Sequence, residues 1–295
     1  MSQSPPILLG VELPDVGTWS PRVTVALGQN PSLFTGPGTN TYLVGTGSER
    51  ILLDTGQGVP AYLPVLESAL ERTGCRIQEI VLTHGHPDHI GGAADVIARY
   101  GPLRVSKLPH AGFDARSPVA IAPIGDGDVV RTEGATLRAL HTPGHAEDHL
   151  CFALEEENAI FSGDNVLGVG TTVIPSEGGD LLDYMSSLER LLALAPAAIY
   201  PAHGPKIEDG TAKLREYIDH RLQREREIVA AISAGLHTIP EIVARVYAAY
   251  PVALHLPARS SVCSHLLKLE REGRVRRTGA APLDASWALT DAGQA

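Results

Sequence analysis

Seven residues, Thr83-His84-Gly85-His86-Pro87-Asp88-His89, constrain this 295-residue chain more than any other stretch. Three imidazoles and a carboxylate fall within six positions, directly after the apolar run Glu79–Leu82. Such clustering rarely arises by chance. Imidazole and carboxylate are the donors that hold zinc, or manganese or iron(II), while leaving coordination positions open for water. Alternate spacing puts His84 and His86 on the same side of the loop, and Asp88 and His89 face a neighbouring position. Four donors this close favour two metal ions over one.

Three later residues complete a set. His145 lies in Thr142-Pro143-Gly144-His145, Asp164 in Ser162-Gly163-Asp164, and His203 in Tyr200-Pro201-Ala202-His203-Gly204. Each ends an expected strand beside a glycine, which is how a rigid sheet projects ligands into one rim. His84, His86 and His145 are assigned to one metal, Asp88, His89 and His203 to the other, with Asp164 bridging. His110, His141, His220, His237, His255 and His265 lack such company and are read as structural or exposed. His149, four residues after His145, either lines the site or supports it. Cys75, Cys151 and Cys263 are odd in number and widely spaced, so a disulfide scaffold is not expected and a reducing compartment fits.

From Thr41 to Pro205, short apolar runs alternate with turn signals and helical patterns. Thr41–Val44 and Ile51–Leu53 read as a hairpin. Pro60 opens a helix to Gly74 with Leu63, Leu66 and Leu70 on one stripe. Further strands are expected at Glu79–Leu82, Leu103–Val105, Val129–Arg131, Leu137–Leu140, Leu150–Leu154, Ala159–Phe161 and Ala198–Tyr200. Helices are expected at Gly92–Tyr100 and Leu182–Leu194. This is a layered α/β core. Beyond Pro205 the pattern changes to a long helix over Thr211–Ala234, a second helix opened by the capping box Thr238/Glu241, and a third over Ser260–Glu272. A hairpin of Arg274–Arg277 with Trp287–Leu289 closes a winged-helix-like module. The expected domains are 1–207 and 208–295.

The net charge of −10 is unevenly spread. Residues 1–205 carry 11 basic and 23 acidic groups, net −12, and residues 206–295 carry 13 and 11, net +2. This argues against an indiscriminate polyanion or anionic-membrane binder. No apolar run approaches the ~18 residues of a membrane span. Met1–Pro21 has no lysine or arginine, unlike a secretory or transit segment, so a cytoplasmic protein is expected.

The H-x-H-x-D-H loop, the Pro-Gly-His turn, Ser-Gly-Asp and Ala-His-Gly, in that order, resemble the metallo-β-lactamase superfamily. The lactamase-beta-like protein 2 family is the closer match, through Gly38–Val44, Thr132–Arg138, Glu155–Asp164, Asp183–Leu188 and His265–Gly273. The resemblance covers nearly the whole chain. It implies an αββα sandwich with the metal site on one edge, a C-terminal winged-helix-like domain, two zinc ions and metal-dependent hydrolysis. Characterised relatives cleave single-stranded RNA, and similar fungal proteins release polyketide acids from carrier proteins as thioesterases. Ala146 departs from the threonine frequent after the Pro-Gly-His turn. Aspartate at 164 resembles the phosphodiesterase and thioesterase branches rather than the lactamases that use cysteine, which leaves lactam hydrolysis as a side activity.

The expected mechanism is attack by a hydroxide shared by two zinc ions and formed from bound water, whose pKa the metals lower to about 7. Asp88 ligates and orients it, and Asp54 accepts a histidine N–H from behind. Asn40, Thr172 and Lys206, with Thr39 and Thr171, are read as loop residues able to contact substrate. The cations Arg221, Arg224, Arg226, Lys268, Arg274, Arg276 and Arg277 either guide RNA or lace a solvated helix with Glu225, Glu227, Glu270 and Glu272. The expected partner is single-stranded RNA, with an acyl thioester as the alternative substrate. A non-enzymatic nucleic-acid binder is disfavoured, because structural metal sites are closed and usually cysteine-rich.

Overall fold

A computed structural model describes residues 10–249 and 255–293. Two compact units are present. The first runs to Thr142 and takes in Asp148–Thr172 and Leu191–Lys213. The second takes Pro143–Glu147, Val173–Arg190 and the chain from Leu214 onward.

The first unit is built on two sheets. One orders β1 (Val16–Ser20), β2 (Val23–Leu27), β3 (Asn40–Val44), β4 (Glu49–Leu53), β5 (Arg76–Val81), β6 (Val105–Lys107) and β7 (Ala122–Pro123) as an unbroken series. Its first four strands pair antiparallel and its last three join in parallel. Parallel neighbours need a long crossover, which α1 (Tyr62–Thr73) supplies before β5, and α2 (Pro87–Ile90) with α3 (Ala93–Tyr100) before β6. The short helix α4 (Ala111–Asp114) follows β6. The second sheet runs β12 (Ala198–Pro201), β11 (Ala159–Gly163), β10 (Leu150–Leu154), β9 (Ala135–His141), β8 (Val129–Thr132), with only β11 and β12 parallel.

Burial explains why the expected strands read as continuous apolar runs. Tyr42, Val44, Ile51 and Leu53 face inward and join Leu137, Leu150, Phe152, Phe161 and Tyr200 in the core between the sheets. Their neighbours Leu43 and Leu52, paired in register, face outward into a second core with Leu66, Ala69 and Leu70 of α1 and Val96 of α3. A strand apolar on both faces loses its polar alternation. α1 opens at Tyr62 rather than Pro60 and ends on Gly74, whose φ of 63° is the left-handed cap expected there. β1 and β2 were not expected. β1 is half-exposed along its length, and β2 is a short run buried throughout.

In the second unit lie most of α5 (Leu181–Ala193), nearly all of α6 (Gly210–Ser233), α7 (Ile239–Val246), α8 (His255–Arg271) and the antiparallel hairpin β13 (Val275–Thr278) with β14 (Ser286–Leu289). Ile228, Ile239, Ile242, Val262, Leu266, Leu269 and the fully buried Trp287 form its core. The Thr238/Glu241 capping box is present. Among the described residues, no helix is long and apolar enough to cross a membrane.

Candidate metal centre

The carboxyl ends of parallel strands are where α/β sheets place ligands, and this sheet edge follows that rule. Asp54 follows β4, His84 lies just beyond β5, Asp164 follows β11 and His203 lies just beyond β12. The histidine-rich stretch is not all loop. Pro87 restricts His86 to an extended conformation and opens the turn α2, which carries Asp88 and His89. Thr55 locks that turn, donating both its N–H (2.8 Å) and its hydroxyl (2.7 Å) to His89 O.

Four donor atoms converge. His89 Nε2 lies 3.4 Å from Asp88 Oδ2 and 3.5 Å from Asp164 Oδ1, and His203 Nε2 lies 3.4 and 3.1 Å from the same two oxygens. Ligands bound to one tetrahedral zinc would stand about 3.3–3.6 Å apart, so these spacings fit a metal ion. His89 Nε2 is buried without a hydrogen bond. On the other flank, His84 Nε2 and His86 Nδ1 are 3.0 Å apart, and the His84 and His89 rings are 4.0 Å apart. His84, His89 and Asp164 form one group able to hold an ion; Asp88, His89 and His203 form another.

Electrostatics agree with a cation site. Burial opposes ionisation of Asp88 and Asp164, but the imidazoles of His89 and His203 outweigh it and hold both carboxyls well below their ordinary range. Burial alone would lower His203, yet Asp164 and Asp88 push it up to about 9. His89 is raised for the same reason by Asp88, Asp164 and Asp54. Without metal, protons supply the charge these carboxylates demand. His84, buried and beside His89, His86 and His149, is held well below its ordinary value, which keeps its lone pair open.

A buried frame orients these donors. Asp54 Oδ1 accepts Thr83 N (2.8 Å); its Oδ2 accepts the Thr83 hydroxyl (2.9 Å) and lies 2.8 Å from His89 Nδ1. Thr39 Oγ1 donates to Asp88 Oδ2 at 3.2 Å. His149 is fully buried and its Nε2 accepts Asp164 N at 3.1 Å, so it supports Asp164 rather than offering that nitrogen as a donor. A Cβ on Gly163 would stand 2.5 Å from that Nε2, so only glycine fits there.

Of the residues read as loop contacts, Thr172 and Lys206 lie on loops and Asn40 does not. Asn40 is a buried residue of β3, and its amide donates to Pro201 O (2.9 Å) and Gly204 O (2.8 Å), bracketing His203. Thr172 is buried and donates to Asp164 O at 2.7 Å. Both side chains are committed to backbone carbonyls. Lys206 pairs with Glu208 at 2.7 Å over the Tyr200 ring. His145 sits on Pro143–Glu147, in the second unit, with Nδ1 2.9 Å from Val173 O. Thr142 N donates to His149 O at 3.0 Å, closing the turn from which His145 projects. Sequence reasoning missed Thr83 and Thr39 as supports of His89 and Asp88; their only signal was adjacency to motif residues.

Residues 34–203 match the model of the metallo-beta-lactamase superfamily, and residues 238–287 match that of a beta-lactamase associated winged helix domain. Over 293 residues the chain is 41% identical to lactamase-like protein adaB of Aspergillus niger, covering 93% of this chain and 88% of the relative. It is 43% identical over 222 residues to an atrochrysone carboxyl ACP thioesterase of Aspergillus terreus, covering 75% of this chain and 67% of the relative. The crystal structure of a metallo-beta-lactamase family protein from Thermus thermophilus superposes with a TM-score of 0.76 at 25% identity, covering 92% of this chain and all of that one. With two facing sheets, histidines and aspartates gathered at one sheet edge and the winged-helix domain behind them in sequence, this chain belongs to the metallo-β-lactamase superfamily of hydrolases.

Proposed function

We propose that this hydrolase is a thioesterase that releases an acyl group from a carrier-protein thioester. The observation that carries the reading is the 43% identity with the ACP thioesterase of Aspergillus terreus. It favours the thioester over single-stranded RNA, which the same donor set would equally serve. The walls of the site agree. Phe113 stands edge-on to His86 at 5.5 Å. An aromatic side chain beside a donor suits an acyl chain better than a polyphosphate backbone.

In this reading Asp88, His89 and His203 would hold one zinc ion and His84, His86 and His145 the other, with Asp164 a donor available to both. Bound zinc supplies Lewis acidity toward the thioester carbonyl and brings the pKa of water to about 7. The chain's own groups do the rest. Asp88, ionised and fixed by the Thr39 hydroxyl, orients the attacking water and takes its proton. Asp54 holds His89 with Nε2 unprotonated. The water oxygen forms the new bond to the acyl carbon as the C–S bond breaks, and the proton taken by Asp88 passes to the departing carrier thiolate.

Zinc-loaded protein incubated in parallel with an acyl carrier-protein thioester, single-stranded RNA and a chromogenic lactam tests the reading. Release of free acid and thiol from the thioester is expected. Cleavage of RNA with the thioester intact overturns it.

A further inference from the structure

We propose that Lys107 is a positioning residue that presets the His84-Gly85-His86 segment for its metal ion, an inference that rests on the metal-centre reading above. Lys107 ends β6 and is fully buried. A buried ammonium is rare unless paired, and this one meets three oxygens. Its Nζ donates to Asp148 Oδ2 and Leu108 O, both at 2.6 Å, and stands 2.9 Å from Asp114 Oδ1. One cation thus ties β6 to α4 through Asp114, and to the connection before β10 through Asp148.

Both tethers end on Gly85. α4 is a single turn of four residues, too short to hold itself in water. Local bonds close it: Phe113 N donates to His110 Nδ1 (3.2 Å) and His110 N to Asp114 Oδ2 (2.7 Å). Lys107 adds the tie to the sheet. The turn delivers Phe113 onto Gly85, where an added Cβ would lie 2.7 Å from Phe113 Cβ, and 3.1 Å from Asp148 Oδ2. Phe113 and Asp148 therefore flank the glycine that separates the two histidines, and the same ammonium fixes both.

His86 needs this frame more than His84 does. His84 is fully buried, whereas His86 is half-exposed and precedes the exposed Pro87. The Phe113 ring, 83° from the His86 plane, is the wall that limits its rotation. Lys107, Asp114 and Asp148 together carry a formal charge of −1, so the frame does not repel a metal cation despite containing an ammonium.

The test titrates zinc alone into metal-free protein against a competing chelator and counts bound ions. Wild type is expected to take two, and this arm tests the two-metal reading separately from the role of Lys107. Lys107→Met keeps the apolar stem and removes the charge. It should weaken one of the two zinc equivalents by about 10–100-fold, the scale seen when a group behind a ligand is removed, and leave the other unchanged. Lys107→Met combined with Asp148→Asn restores charge balance, so it folds where the single variant does not. Its zinc affinity should remain low, because neutrality without the tether does not hold Phe113 and Asp148. Wild-type affinity for both ions in either variant overturns the proposal, as does an equal loss at both ions.

Discussion

Replacing Asp54 with asparagine isolates what one carboxylate contributes to the metal centre. Asp54 is 2% exposed and has a φ of 59°, a region asparagine tolerates, so the variant adds no backbone strain. Its Oδ1 keeps the bond from Thr83 N. The change falls on Oδ2, which accepts the Thr83 hydroxyl at 2.9 Å and lies 2.8 Å from His89 Nδ1. An amide nitrogen there opposes two donors. His89 relieves the clash by accepting at Nδ1, which moves its proton to Nε2, the atom 3.4–3.5 Å from Asp88 and Asp164. A hydrogen bond to a charged group contributes about 1.5–3 kcal/mol, or roughly 10–150-fold in binding. Zinc affinity by chelator competition should fall by that factor, with kcat/KM falling alongside and the metal-free melting temperature moving less. Asp54→Ala should cost additional stability, because alanine at positive φ is strained. A change in zinc affinity below threefold for Asp54→Asn would refute the argument that this carboxylate sets the His89 tautomer.

Asp88→Asn should abolish thioester turnover while circular dichroism and at least one bound zinc remain; near-wild-type turnover would sink the assigned role. In the metal-free protein, His203 is raised to about 9 and His89 is also raised. The His203 contribution is fully present below about pH 6.5 and lost as pH climbs through about 9, and that of His89 is lost in the same direction, so the metal-free melting temperature should drop as pH rises across that window. The zinc-loaded protein should not follow, and parallel pH curves for the two forms would contradict this. In the second unit His265 is held well below its ordinary value, first by burial and then by Arg221, Lys268, Arg224 and His220. The unfolded chain takes up its proton near pH 6.5 and the folded chain does not. Stability is therefore full above that pH and declines below it by at most about 1.4 kcal/mol per unit. Urea midpoints at pH 5 and 7 should differ less in His265→Leu; an unchanged difference would count against this.

The elements legible in the sequence are those whose cause is local. Leu63, Leu66 and Leu70 mark one face of α1, and Gly74 ends it for a reason internal to that residue. The hairpin of β3 and β4 reads from its own apolar runs, and the Thr238/Glu241 box closes within four residues. β1 has no such signature, because its half-exposed residues carry no alternation. The turn α2 did have one: Pro87 after an extended His86 is a helix-start signal, hidden by the attention its neighbours attract as ligands.

The same division runs through the site. The metal donors are conspicuous because residue type alone limits what they do: imidazoles and carboxylates crowded at strand ends have few other uses. The groups that hold them are ordinary residues whose roles depend on distant partners. Asn40 reads as a loop contact until its amide meets Pro201, 161 positions away, and Lys107 carries no signal of a role until it meets Asp148, 41 positions on. Substrate preference belongs to this second kind. Two metal ions held by histidine and aspartate would activate water toward a phosphodiester or a thioester alike. What separates the two is the chemistry of the walls, such as Phe113, set against His86 by a contact that no local pattern records. The reaction class therefore follows from the ligands and the substrate from their surroundings, and Phe113 belongs to both: exchanging it should alter acyl selection and, because its ring walls His86, weaken one zinc equivalent as well.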